Sequence, residues 1–113
     1  QRGELVEPTA ESISAAASGV IPADTRTSIT NADATGAYPI ATFTWIIIYK
    51  EQNYSDRSKE QAIATLDLLQ YILSDEAQKI TSEVHYAPLP TQAKELSMKN
   101  LKTVTYDGMP ILQ

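Results

Sequence analysis

Eight consecutive residues, 42–49 (TFTWIIIY), are all β-branched or aromatic, and this run constrains the fold more than any other part of the chain. Such side chains fit the pleated surface of a strand. Because they fill every position, both faces of the strand would be apolar. A strand buried on both faces is typical of a sheet that helices cover on each side. We therefore predict a strand over residues 41–50 and an α/β fold.

Two helices are predicted after a polar loop. Ser58 with Gln61, and Asp75 with Gln78, both have capping-box spacing, in which each side chain accepts a backbone N–H of the other residue. Apolar residues then recur at helical spacing and should face inward. They are Ile63, Leu66, Leu69 (or Gln70) and Leu73 in the first helix, and Ala77, Ile80 and Val84 in the second.

A third amphipathic helix is predicted over Thr91–Leu101, after an extended stretch that Pro88 and Pro90 enforce. Beyond it, Asp107 and Gly108 predict a turn before a short terminal segment. The apolar candidates of this helix are Ala93, Leu96, Met98 and Leu101.

The first third of the chain has weaker patterns. Thr9 suits the N-cap of a short helix that ends near Ser18, and Gly19 should end it in the left-handed conformation. Residues 25–30 contain several β-branched side chains and predict an edge strand. Residues 31–36 are rich in turn formers and predict a loop.

The charge balance and the cysteine count exclude several functional classes. The 113 residues carry 9 Lys and Arg against 14 Asp and Glu, and the net charge of −5 argues against nucleic-acid and anionic membrane partners. The absence of cysteine excludes disulfide scaffolds, thiolate zinc sites and cysteine nucleophiles. No apolar run approaches the ~20 residues that cross a bilayer. We expect a protein without a cofactor that does not bind nucleic acid.

Candidate catalytic residues are few. His85 is the only histidine, and thus the only side chain that titrates near neutrality without perturbation, but a surface or partly packed position is the preferred interpretation. No Gly-x-Ser-x-Gly turn presents a nucleophile. The acidic pair Asp75 and Glu76 is better explained by the start of a helix than by metal ligation. We predict that the chain is not an enzyme and holds no catalytic or metal-binding residue.

Two other groups of residues are weighed as ligand contacts. The tripeptide Ser18-Gly19-Val20 resembles a small phosphate loop, but it follows a helix C-terminus, where carbonyls repel an anion. Thr42, Thr44 and Trp45 are interpreted as strand residues. We therefore predict no ligand-binding residue in this chain.

Several stretches resemble a known family. Residues 38–40 (YPI), continuing into 43–50 (FTWIIIYK), resemble the strand that begins the last segment of the phosphate-binding proteins of ABC transporters. Residues 86–90 (YAPLP) resemble a motif near the C-terminus of the same family. Between them, residues 68–79 fit the family's helix followed by a short helix, and residues 3–17 resemble the segment just upstream. The order of these motifs agrees over most of the chain.

The resemblance implies the type-II periplasmic-binding fold, in which two α/β lobes close on a ligand and present it to a membrane permease. Residues 1–36 would end the second lobe. Residues 37–113 would return to the first lobe with the strand at 41–50 and the C-terminal helices. The implied function is the capture of inorganic phosphate for delivery to an ABC transporter. The implied location is the periplasm or another extracytoplasmic location. In this family, a lipid at the N-terminus of the full-length protein can anchor it to the membrane.

The ligand motifs of that family lie earlier in its sequence and are not matched here. Since the chain begins at Gln1 and is short for a two-lobed protein, we expect a C-terminal scaffold portion whose phosphate site lies elsewhere. Sheet edges left without partner strands would favour self-association. The alternatives are a related extracytoplasmic sensor or adhesion-type interaction module, a binder of another oxyanion, and a small stand-alone enzyme.

Overall fold

Four α-helices and one two-stranded hairpin form the regular structure of residues 3–113, which are the residues that the computed structural model describes. None of the helices in this range is both long and apolar enough to span a bilayer. In chain order the elements are α1 (Ala10–Ala16), α2 (Lys59–Ile72), α3 (Asp75–Thr81) with a 3₁₀ turn at Ser82–Val84, α4 (Thr91–Leu101), β1 (Thr105–Tyr106) and β2 (Met109–Pro110).

The start of α2 confirms the predicted capping box. The Ser58 hydroxyl accepts the Gln61 amide at 3.2 Å, and the Gln61 side chain accepts the Ser58 amide at 2.9 Å. The helix buries Ala62 and Leu66 and packs against α3 and α4. Ile63, predicted to face inward, is instead exposed.

Helix α3 begins at Asp75 as predicted, but the predicted cap is wrong. Ser74 is the N-cap, and its hydroxyl accepts the Ala77 amide at 3.2 Å. Gln78 is buried and does not cap the helix. Its side-chain amide group donates to the Ile72 carbonyl at 2.8 Å, and its side-chain oxygen accepts the Leu89 amide at 2.7 Å. Gln78 thereby joins the proline-rich segment to the end of α2.

Two further inward predictions on this part of the chain are wrong. Ile80 and Val84 are both exposed. The helix is only seven residues long and Gln78 is its one buried residue, and the 3₁₀ turn that holds Val84 has no buried residue.

The predicted helix Thr91–Leu101 and the turn after it are both confirmed. Asp107 and Gly108 have φ values of 52° and 73°, so both central residues of the hairpin are left-handed, as a two-residue type I′ turn requires. A single parallel bridge joins Glu51 to Thr105. This bridge attaches the hairpin to the middle of the chain.

Helix α1 confirms Thr9 as N-cap, since its hydroxyl accepts the Ser12 amide at 3.2 Å. The prediction for Gly19 is wrong. The helix ends at Ala16 with Ala17 as C-cap, so Gly19 lies beyond the position where a left-handed residue is needed, and its φ is not positive. Helix α1 packs in a small apolar cluster of Ala16, Ala17, Ile29 and Ala41.

Neither predicted strand forms within residues 3–113. Residues 25–29 and 41–49 carry no strand or bridge, and the nearest ladder contact is the bridge at Glu51. The prediction of a doubly buried strand at 41–50 is wrong for this chain, because a strand needs neighbours with which to exchange hydrogen bonds. The observed mixture of helices with a short two-stranded sheet is compatible with a fragment of an α/β fold.

The chain is also less densely packed than its length allows. Its radius of gyration is 16.4 Å, whereas a compact domain of this length has a radius of about 13 Å. Leu66 and Gln52 are the largest fully buried side chains among the described residues. Much apolar surface therefore remains open to solvent.

Candidate functional site

An open trough of about 1000 Å³ is one concave feature of the described part of the chain. Its lining residues come from the segment 44–48, the loop at 24–28, the helices α2 and α4, and the residues that follow these helices. Its apolar lining comes from Trp45, Ile46, Ile47, Ile48, Leu69, Ile72, Leu73, Leu89, Leu101 and Val104. We call this feature the trough.

Trp45 is held at the border of the trough. Its indole N–H donates to the Thr25 carbonyl at 3.2 Å, and its ring meets Phe43 edge-on with centroids 6.1 Å apart. The indole is nevertheless 46% exposed, and Ile47 beside it is 92% exposed. The trough is therefore open to solvent, and its apolar residues are incompletely buried.

The backbone at 44–48 has no hydrogen-bond partner within residues 3–113. Hydrogen bonding resumes just after it, where the Lys50 carbonyl accepts the Thr105 amide and the Gln52 amide donates to the Thr105 carbonyl, both at 2.8 Å. Each of the five residues carries one backbone donor and one acceptor that normally pair in a folded protein. The segment thus has unpaired backbone N–H and C=O groups in addition to its apolar side chains.

A polar cluster lies next to this segment, around the Glu51 carboxylate. It accepts the amides of Asn53, Asp107 and Gly108 at 2.8, 2.9 and 3.0 Å, and the Thr105 hydroxyl at 2.8 Å. These donors, first the Asn53 amide and then the Gly108 amide, lower the pKa of Glu51 to about 2. The amides of the hairpin turn, which suit an anion, are therefore already occupied by a carboxylate of the chain itself.

Sequence reasoning missed the Glu51 cluster. Its partners Asp107 and Gly108 lie 56 and 57 residues away, so no local spacing marks the contact. The available signal was indirect: a turn with two left-handed residues aligns its amides, and such amides attract a carboxylate.

The structure does not bring together the residues that were considered as catalytic or metal-binding. His85 is exposed, with a left-handed φ of 63° after the 3₁₀ turn. Asp75 forms an ion pair with Lys94, which lowers the pKa of its carboxyl group, and Glu76 is exposed. Within residues 3–113, no group of three or more His, Asp or Glu side chains could hold a metal ion.

The remaining residues that were considered as ligand contacts do not form one site. Gly19 and Val20 border a small cavity of about 140 Å³ beside α1, and Thr44 and Trp45 line the trough. Thr42 is exposed, and its hydroxyl donates to the Phe43 carbonyl. The trough, with its bare backbone and apolar walls, is thus suited to a partner that supplies both hydrogen bonds and apolar side chains.

Curated proteins similar to this chain carry one name. The phosphate-binding protein PstS of Xylella fastidiosa strain Temecula1 is 37% identical over 91 residues, which cover 78% of this chain and 24% of the relative. The same protein of strain 9a5c is 36% identical over the same shares. The phosphate-binding protein PstS of Methanocaldococcus jannaschii is 27% identical over 92% of this chain and 29% of the relative.

The chain spans about a quarter of the length of the curated relatives it matches. No family model matches the chain, and no solved structure matches it significantly. All three relatives are named as binding proteins, and none is named as an enzyme.

Proposed function

We propose that this chain is part of an extracytoplasmic solute-binding protein that captures inorganic phosphate and delivers it to an ABC transporter. One observation carries the proposal: the similarity to proteins named phosphate-binding protein PstS, which extends over 78% to 92% of the chain. Similarity over that extent is more than a shared local motif. The loop at 86–90 and the α2 to α3 arrangement lie within the portion on which the resemblance rests.

Within that protein, we assign the chain a scaffold role. The hairpin amides that could receive an anion are occupied by the Glu51 carboxylate, whose negative charge repels phosphate. Ser18, Gly19 and Val20 follow the C-terminal end of α1, where carbonyl dipoles also disfavour an anion. The phosphate site then belongs to the part of the parent protein that this chain does not match.

The division into lobes belongs to the same proposal. Residues 1–36 would end one lobe, and residues 37–113 would contribute to the other with α2, α3 and α4. Two hydrogen bonds join these two parts of the chain. The Trp45 indole donates to the Thr25 carbonyl, and the Asn100 side chain donates to the Ala23 carbonyl at 3.0 Å.

Phosphate uptake tests the proposal. The full-length Xylella relative is rebuilt so that this chain replaces its matching segment; we call the product the segment-replaced protein. It is expressed in a bacterium that lacks its own phosphate-binding protein, and uptake of labelled phosphate is measured with and without excess sulfate. The control carries the same replacement with the order of its residues scrambled.

The expected result is phosphate uptake that the scrambled control does not restore and that sulfate does not suppress. A segment-replaced protein that is folded and exported, yet restores no uptake, would contradict the proposal. Suppression by sulfate would show instead that the parent binds another oxyanion.

A further inference from the structure

The hairpin turn contains an Asp–Gly pair, which is chemically reactive and has no part in the proposed function. The chain has 4 glycines, and only Gly108 follows an Asp or Asn. In such a pair, the backbone nitrogen of the glycine can attack the side-chain carboxyl carbon of the preceding residue. Glycine has no side chain to obstruct that approach. Asp107 and Gly108 are both exposed, so water reaches the bond between them.

The reaction passes through a five-membered ring. The Gly108 nitrogen bonds to Cγ of the protonated Asp107 side chain, and the carboxyl hydroxyl leaves with the amide hydrogen as water. Water then adds to one of the two carbonyls of this succinimide. When the bond from the nitrogen to the α-carbonyl carbon breaks, the chain continues through Cγ. The product is isoaspartate at position 107, and the mass of the chain is unchanged.

Two side chains from one short segment hold the two reacting groups in the folded turn. The Gly108 amide donates to Glu51 Oε2 at 3.0 Å, and the Asp107 amide donates to Oε1 of the same carboxylate at 2.9 Å. The Asn53 side-chain amide donates to Oδ1 of Asp107. We call Glu51 and Asn53 the clamp. Ring closure requires rotation of the Asp107 backbone and side chain, and the clamp restrains both.

Isoaspartate at this position would disrupt the hairpin. Asp107 and Gly108 have φ values of 52° and 73°, as the two central residues of a type I′ turn require. The strands pair Thr105 with Pro110 and Tyr106 with Met109. Turn length fixes that register. One more backbone carbon in the turn would shift it and withdraw the turn amides from the Glu51 carboxylate.

The other Asp residues lack this combination. All five are followed by a residue with a side chain, which obstructs attack by the next nitrogen; they are Asp24, Asp33, Asp56, Asp67 and Asp75. We propose that Asp107 is a site of isoaspartate formation, and that the clamp keeps this modification slow while the hairpin is closed. The rate is then set by local opening of the hairpin and not by unfolding of the whole chain.

Peptide mapping of the aged chain tests the proposal. The 113-residue chain is incubated at neutral pH, once folded and once in urea, and trypsin then releases residues 103–113, since Lys102 is the last Lys or Arg. Synthetic peptides with Asp or isoaspartate at position 107 identify the two forms by chromatography. Isoaspartate should accumulate in both samples, and at least about tenfold more slowly in the folded chain.

Two results of this comparison would overturn the proposal. No isoaspartate at position 107 in urea would show that the pair is not a modification site. Equal rates in urea and in a chain that far-ultraviolet circular dichroism shows to be folded would show that the closed hairpin gives no protection.

Variants of the clamp test its two members separately. Glu51→Gln and Asn53→Ala should each raise the rate in the folded chain about fivefold, because each weakens the hold on one reacting group. Glu95→Gln, at an exposed position of α4, is the matched control and should leave the rate unchanged. In urea all variants should react at the wild-type rate, since the clamp exists only in the fold. Unchanged rates in both clamp variants would reject the clamp.

Leu66→Ala separates the clamp from a general loss of stability. Leu66 is fully buried in α2, outside the hairpin and the clamp. The variant is incubated at a temperature below its own unfolding midpoint, and isoaspartate should form at the wild-type rate. A rise as large as that of Glu51→Gln would show that the modification follows unfolding of the whole chain, which would contradict control by the clamp.

Discussion

The Glu51 carboxylate accepts a hydrogen bond from the amide of Gly108, 57 residues further along the chain, at 3.0 Å. The neighbouring Asp107 amide donates to the same carboxylate at 2.9 Å, and Thr105 pairs with the backbone on either side of Glu51. The C-terminal hairpin is therefore attached to residues 50–52 both by backbone hydrogen bonds of Thr105 and by the charged Glu51 side chain. The stability of this attachment depends on the ionisation of Glu51.

Acid should release the hairpin. The folded pKa of Glu51 is about 2, below the ordinary value of 4.5, so folding favours the ionised carboxylate. Its stabilisation is fully present above pH 4.5 and is lost as the pH falls through about 2. Exchange at the Asp107 and Gly108 amides, measured by NMR and corrected for intrinsic exchange, should show rising opening of the hairpin over this window.

The variant Glu51→Gln supplies the control. Its neutral amide accepts hydrogen bonds more weakly than a carboxylate, so the hairpin should open more readily at neutral pH. The rise in opening between pH 4.5 and 2 should also disappear. If the variant retained the same pH profile, the release would belong to another group.

Leu66 is the buried anchor of α2. It is 0% exposed, whereas Leu68 on the same helix is 58% exposed. Leu66→Ala removes buried methyl groups and leaves a cavity, so it should lower the free energy of unfolding by about 2–5 kcal/mol. Leu68→Ala should change it by less than about 0.5 kcal/mol. Urea unfolding followed by far-ultraviolet circular dichroism measures both, and equal losses would contradict the packing described for α2.

The turn at Gly108 depends on its backbone conformation. A Cβ there would meet nothing within 4 Å, but the φ of +73° is one that L residues rarely adopt. Gly108→Ala should therefore cost about 1–2 kcal/mol through backbone strain alone. Gly19 has equally open surroundings and no positive φ, so Gly19→Ala should be neutral or slightly stabilising. Thermal unfolding of the two variants makes the comparison, and a larger loss at Gly19 would be inconsistent with these conformations.

Features that depend on a few neighbouring residues could be predicted from the sequence. Thr9 and Ser58 are N-caps as predicted, since a cap needs only its own helix turn. The helix Thr91–Leu101 follows from its proline start and its apolar spacing. The left-handed turn at Asp107 and Gly108 is equally local.

Features that depend on distant partners could not be predicted. The β-branched run at 42–49 has the composition of a strand, but a strand forms only where another strand meets it, and none does within residues 3–113. The Glu51 cluster joins positions more than 50 residues apart. The local sequence predicts that Gln78 is a capping residue. In the structure its buried side chain instead forms hydrogen bonds with the backbone of Ile72 and Leu89.

Calorimetric titration with inorganic phosphate tests the central claim most directly. The 113-residue chain and the segment-replaced protein are titrated under identical conditions. The segment-replaced protein should bind phosphate at one saturable site, and the chain alone should release no saturable heat. Saturable binding by the chain alone, or its absence from a folded segment-replaced protein, would contradict the assignment of this chain as scaffold of a phosphate-binding protein.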